Sequence, residues 1–144
     1  MENLPKIIQG GAHTDQRGTI KFVNDFDMKQ VRRFYCIVHP DISTIRAWRA
    51  HKLEQRWFYV SKGVFKVKLI CIDDWENPNP VLAQQTIVLN AAENQVLHIP
   101  VGYASGLQAL EEDSEMIIFA DSDITNAKND DYLFPVNYFG EWEE

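Results

Sequence analysis

Residues 44–72 read TIRAWRAHKLEQRWFYVSKGVFKVKLICI, and their spacing decides the fold. Three strand-like runs follow one another here, TIRAWRAH, RWFYV and VFKVKLICI, with breaks too short to hold a helix. In the last run Phe65, Val67, Leu69 and Cys71 alternate with Lys66 and Lys68, the period of two that puts one face of a strand in a core and the other in water. Lys62-Gly63 between the last two runs reads as a tight hairpin turn. Working outward, further β-branched and aromatic runs begin at Thr19, Val31, Gln85, Gln95, Gly106 and Glu115, and nowhere do apolar residues keep a 3.6 period over three turns. Asn77-Pro78-Asn79-Pro80 reads as a loop and Pro100-Val101-Gly102 as a turn. Many short antiparallel strands of this kind predict an all-β sandwich or jelly roll.

The chain has 144 residues, of which 45% are hydrophobic and 12% aromatic, enough for one core and one domain spanning 1–144. A formal net charge of −7 argues against a nucleic-acid partner, which would need a basic face, but leaves room for a small anion if a few arginines converge. The start, MENLPKIIQGG, lacks a basic segment leading into an apolar one, and Lys66 and Lys68 interrupt the longest apolar run. The expectation is therefore a cytoplasmic protein without a secretory signal or membrane span. Cys36 and Cys71 each sit in an apolar run without CxxC spacing and are expected to be buried free thiols. The tail from Asn129 mixes acids with Tyr132, Phe134, Tyr138, Phe139 and Trp142, rings expected to pack on the barrel or on a partner subunit.

On an extended strand Arg49 and His51 project from one face, beside Ile45 and Ala47, with Arg46 and Trp48 opposite. A guanidinium and an imidazole side by side are costly in a closed core, and an anionic ligand would relieve that cost. The same pair also admits a plain structural role, the arginine on a carboxylate and the histidine on backbone. Trp48, Trp57 and Trp75 could stack on a base or sugar or pack in a core or interface.

The run IRAWRAHKLEQ, the turn at SKG and the later LHIPVGYASG resemble the two motifs of the cupins. With DQRG at Asp15 to Gly18 and the strand RRFY, the ordered set is similar to the RmlC-like dTDP-4-dehydrorhamnose 3,5-epimerases and the WxcM-like dTDP-sugar 3,4-ketoisomerases, over about residues 7–120. The resemblance implies a jelly-roll β-barrel, a homodimer, and isomerase or epimerase action on a dTDP-4-keto-6-deoxy sugar in deoxysugar or surface-polysaccharide biosynthesis. Metal-binding cupins use two histidines, an acid and a third histidine; the matching positions here are Arg49, His51, Gln55 and Ser105, so no metal and no other cofactor is expected. The resemblance makes His51 the catalytic base, Arg49 a stabiliser of the enolate or phosphate, and Tyr35 a proton donor. Arg17 and Arg46 fall to the diphosphate, and Gln55, Tyr59, Tyr103 and Ser105 to substrate binding. Arg49 stands where a family histidine would be, Ser105 replaces the histidine of an FAHG run, and residues 117–125 lack the tyrosine that epimerases use as an acid. A non-catalytic sugar or nucleotide-sugar binding domain is the second expectation.

Overall fold

The computed structural model describes residues 4–142. The chain runs through β1 (Lys6–Gln9), β2 (Gly11–Asp15), β3 (Gly18–Phe22), β4 (Arg33–His39), β5 (Ile45–His51), β6 (Arg56–Lys62), β7 (Val64–Cys71), β8 (Gln85–Asn90), β9 (Gln95–Ile99), β10 (Tyr103–Ala109), β11 (Ser114–Ala120), the single-turn helix α1 (Ile124–Ala127) and β12 (Tyr132–Leu133). Two five-stranded antiparallel sheets result, ordered β1-β9-β6-β11-β4 and β12-β5-β10-β7-β8, and β2 with β3 forms a separate ribbon. From β4 to β7 the chain changes sheet at every strand, as in a jelly roll. The turn at Gly63, with φ +78, therefore joins no hairpin: it carries the chain from one sheet to the other. Both flanking strands have apolar inner faces, and those faces oppose one another across the core.

The core lies between the sheets. Phe58, Val60, Leu97, Ile99, Met116 and Ile118 come from the first, and Phe65, Val67, Leu69, Leu89 and Leu107 from the second. Each set is the even-spaced half of its strand, the reason the period of two was readable. A second apolar cluster covers the outer face of the second sheet, where Trp48, Ala50, Ile70, Ile72 and Ala104 meet Phe139, Tyr138 and Trp142 of the C-terminal tail. The aromatic tail thus packs on its own barrel. It also corrects the wet face expected for β7: Lys66 and Lys68 are each only 8% exposed, their ammonium groups 5.8 and 4.7 Å from the Trp142 ring. Long apolar stems let lysines lie under a ring while the charge meets its π face. Gly106 makes room, since a Cβ there would stand 2.5 Å from the Trp142 ring.

The cysteines depart from expectation. Both are free and exposed, Cys36 because it lies on the outer side of edge strand β4, whose burial alternates without a break, and Cys71 because it ends β7. Among the described residues no helix is long and apolar enough to cross a membrane.

Candidate functional site

Strand β5 carries most of the site, and it does not alternate throughout. Opposite β10, His51 faces Tyr103 and Arg49 faces Ser105, but Leu107 faces Arg46, so three steps on β5 match two on β10. This is a β-bulge, with a cis peptide between Ala47 and Trp48. Directly opposed residues share a face. Arg46, Arg49 and His51 therefore all lie on the inner side with Leu107, Ser105 and Tyr103, which corrects the placing of Arg46 on the far face. Trp48, in the bulge, turns outward and exchanges backbone hydrogen bonds with Phe134.

Beside the bulge lies a cavity of ≈ 580 Å³ lined by Tyr35, Arg46, Arg49, Arg56, Ser105 and Leu107, among others, and, among the described residues, by no carboxylate. Arg56 was not anticipated. It stands on β6 in register with Ile99, on the face of Phe58 and Val60, and is 4% exposed. Its Nη2 donates to Ser105 Oγ at 2.7 Å, and its guanidinium lies 5.0 Å from the centre of the Phe58 ring. The available signal was an arginine at a core position of a strand otherwise buried on that side. A second cavity, ≈ 410 Å³, shares Tyr35 and Arg49 with the first and adds Arg33, His51, Lys128 and Asp131. Arg49, its side chain 50% exposed, pairs with Asp131 at 3.1 Å.

His51 is 6% exposed, and neither ring nitrogen is free toward the first cavity. Nδ1 lies 2.7 Å from the Asp130 carbonyl oxygen. A carbonyl only accepts, so this nitrogen carries the proton in the neutral ring. Nε2 is buried without a hydrogen-bond partner, 3.6 Å from the equally unpartnered Glu54 Oε2. Burial, and then the charge of Arg56, hold the His51 pKa down to about 4. Glu54, whose other oxygen accepts from Arg33 at 3.1 Å, has its pKa raised by burial against the pull of Arg33 and Arg56. Asp130 braces the neighbourhood: its carboxylate accepts the backbone N–H groups of Lys52, Leu53 and Glu54 at 2.8–2.9 Å. This segment, 128–131, carried no signal in the sequence beyond its acids.

The remaining expected residues divide. Tyr35 lies on the inner face of β4 with the Arg33 guanidinium over its ring, and Tyr103 is buried on the inner face of β10. Tyr59, by contrast, pairs with Val96 and Ile117 one step from Phe58, so its ring leaves the opposite side of the sheet. Gln55 lines neither of the two cavities: its Oε1 accepts from His98 Nε2 at 2.7 Å and its Nε2 donates to Gln30 at 3.1 Å, outside the barrel. Both depart from the substrate-binding expectation because the alternation of β6, starting with Arg56 inward, sends them out. Arg17 sits in the turn of the β2–β3 ribbon, 82% exposed and paired with Asp15 at 2.6 Å, and lines neither cavity. Trp57 stacks on His98 and Trp75 packs against Tyr132.

The sequence has no match among curated proteins. Among solved structures, a 3,4-ketoisomerase from Helicobacter canadensis superposes with a TM-score of 0.71 at 18% identity, covering 94% of each chain. The QdtA sugar 3,4-ketoisomerase of Thermoanaerobacterium thermosaccharolyticum, solved with TDP, gives 0.71 at 17% identity over 94% of this chain and 91% of that one. The rmlC epimerase of Mycobacterium tuberculosis gives 0.75 at 15% identity over 96% and 74%. The fold is thus that of the RmlC-like cupins. A family model described as FdtA, WxcM-like, C-terminal, matches residues 1–143, and the chain belongs to that family.

Proposed function

We propose that this protein is a metal-independent isomerase of a nucleotide-linked keto sugar, which it takes into the arginine-lined barrel. The observation that carries the reading is a cavity bearing Arg46, Arg49 and Arg56 and, among the described residues, no acid, inside a chain of net charge −7. A local positive field of that kind draws an anion such as a sugar-linked diphosphate. A ketone acidifies the C–H bonds beside it, and a guanidinium facing the carbonyl oxygen lowers the cost of the enolate. Arg49, next to Tyr35 where the two cavities meet, is placed for that work, and Tyr35 for returning a proton. His51 would serve as base once the ring proton sat on Nε2, 3.6 Å from Glu54 Oε2, and the deprotonated Nδ1 left the Asp130 carbonyl for the substrate. The solved relatives named as ketoisomerases and an epimerase support the same chemistry. The protein would act as a cytoplasmic homodimer in making the sugars of surface polysaccharide, with the exposed Arg17 of one subunit reaching the diphosphate in its partner.

A non-catalytic nucleotide-sugar binding role is the second reading, favoured by the engagement of Nδ1 and burial of Nε2 in His51. Incubation with dTDP-4-keto-6-deoxyglucose in heavy water, followed by NMR, separates them. Deuterium entering C3 or C5 is the expected result, and His51→Asn should lose most of it; unchanged exchange in that variant excludes His51 as base. No exchange, with a thermal shift on adding dTDP, favours binding alone. Neither exchange nor shift overturns the nucleotide-sugar reading.

A further inference from the structure

Among the described residues, Arg56 is a buried charge with no acid in contact with it: no carboxylate lies within ion-pair distance, and its hydrogen-bond partner, Ser105, is an uncharged hydroxyl. Glu54, a buried acid whose pKa burial raises and the charges of Arg33 and Arg56 lower, accepts from Arg33 Nη2 on Oε1 and makes no contact with Arg56. Taking a guanidinium out of water without a counter-charge is among the costliest arrangements a fold can hold, and here Arg46 and Arg49 crowd the same cavity. Five N–H donors in a rigid fork need acceptors, and Ser105 supplies one.

We infer that the floor of the barrel, Arg56 held by Ser105, binds a carboxylate, so that the sugar carried into it is acidic, a nucleotide-linked hexuronate or a sugar of like charge. This rests on the nucleotide-sugar reading and narrows it, putting a carboxylate where a 6-deoxy sugar has a methyl group. Depth separates this group from the diphosphate. Arg46 is exposed and Arg49 half-exposed, whereas Arg56 and Ser105 are each 4% exposed. A diphosphate is esterified at both ends and must sit partway along the ligand, beside the outer arginines. Only a terminal group reaches the buried end, and the guanidinium fork matches a carboxylate bidentately. An enolate does not answer the same need, because it exists only during reaction, while the charge of Arg56 is present in every complex.

The test is calorimetric titration of the wild type with two pairs of ligands, UDP-glucose against UDP-glucuronate and dTDP-glucose against dTDP-glucuronate. Comparing within a pair cancels the preference for the base. The uronate is expected to bind about tenfold or more tightly than its neutral partner, a bidentate charged contact being worth at least that ratio. In Arg56→Gln the gap should close to within about twofold, any weakening from the lost positive charge falling on both members of a pair alike, and melting should occur at the wild-type temperature or above, since a buried charge without a contacting acid has gone. Uronates bound no better than neutral sugars by the wild type overturn the inference and leave the nucleotide-sugar reading standing. Failure of all four to bind overturns both. A gap that persists in Arg56→Gln places the carboxylate elsewhere and refutes the assignment of the floor. If that variant does not fold, Ser105→Ala takes its place, and a gap that does not narrow in it is equally refuting.

Discussion

Replacing Asp130 by alanine should be the most damaging single change outside the core. The carboxylate is 4% exposed and accepts three backbone N–H groups, from Lys52 at 2.8 Å, Leu53 at 2.9 Å and Glu54 at 2.8 Å. It thereby folds the loop after β5 over His51, whose Nδ1 it also holds through its carbonyl oxygen. A buried donor stripped of its acceptor costs about 1–3 kcal/mol. Lys52 and Leu53 are exposed, so water can reach their N–H groups and their loss falls at the lower end; Glu54 is 2% exposed and its N–H stays dry. The sum is about 3–4 kcal/mol for Asp130→Ala, a large share of the 5–15 kcal/mol that holds a typical domain together. Asparagine keeps one acceptor oxygen and turns an NH2 group toward the remaining donors, so Asp130→Asn should cost about half as much. In urea denaturation the midpoint of Asp130→Ala should drop by roughly 1–3 M at an unchanged slope. A loss below about 1 kcal/mol, or an asparagine variant less stable than the alanine one, would refute the view that these three bonds are what Asp130 provides.

Two further outcomes are expected. Gly106→Ala puts a Cβ 2.5 Å from the Trp142 ring and should destabilise by about 1–3 kcal/mol, yet be nearly neutral in a Trp142→Ala background; equal costs in both backgrounds, measured by a double-mutant cycle, would break the link between glycine and tail. His51, at about 4 when folded, stays neutral where the unfolded ring already binds a proton, so its contribution is complete above pH 6.5 and is lost as pH falls toward 4. His51 alone should make the protein about 2 kcal/mol less stable at pH 5 than at pH 7. His39 and His98, also lowered by burial, act in the same direction, while Glu54, raised by burial, acts in the opposite one as pH climbs above the ordinary carboxylate range. An equally steep dependence in His51→Asn would show that His51 is not the group responsible.

The strands were legible wherever a run was long enough to show its period. Residues 64–71 gave the clearest case, and all nine runs found in the sequence became strands. What escaped was of two kinds. Strands β1, β2 and β12 span 4, 5 and 2 residues, too few for alternation to stand out, and they exist because an edge of the sheet or the ribbon partner is there to pair with them. The other kind depends on contacts distant in sequence. Alternation put Lys66 and Lys68 correctly on the outer face, but nothing local told that Trp142 would cover that face. The bulge in β5 is the costliest case, since one additional residue moved Arg46 from the outer to the inner side. Of the residues singled out in the sequence, Arg49, Ser105 and Tyr35 line the cavity, while Arg56, which lines it too, was passed over although its alternation with Phe58 and Val60 was available.

The departures from the metal-binding cupin pattern acquire a meaning once the register is known. Arg49 and Ser105 match two of the histidine positions, and in the structure they stand directly opposite one another on β5 and β10. Gln55, matching the acid, is turned out of the barrel toward His98 and Gln30. Of the four positions only His51 keeps a ligand side chain on the inner face, and it is tied to Asp130. None of the four positions carries an apolar side chain. Instead a guanidinium and a hydroxyl replace imidazoles on facing strands, and the hydroxyl holds a second guanidinium, Arg56, beside the first. Donors that point N–H groups inward, with no carboxylate among them, repel a cation and suit an anion. The positions at which the resemblance would place metal ligands thus carry N–H and O–H donors in this chain, an arrangement that suits a negatively charged ligand in the same cavity.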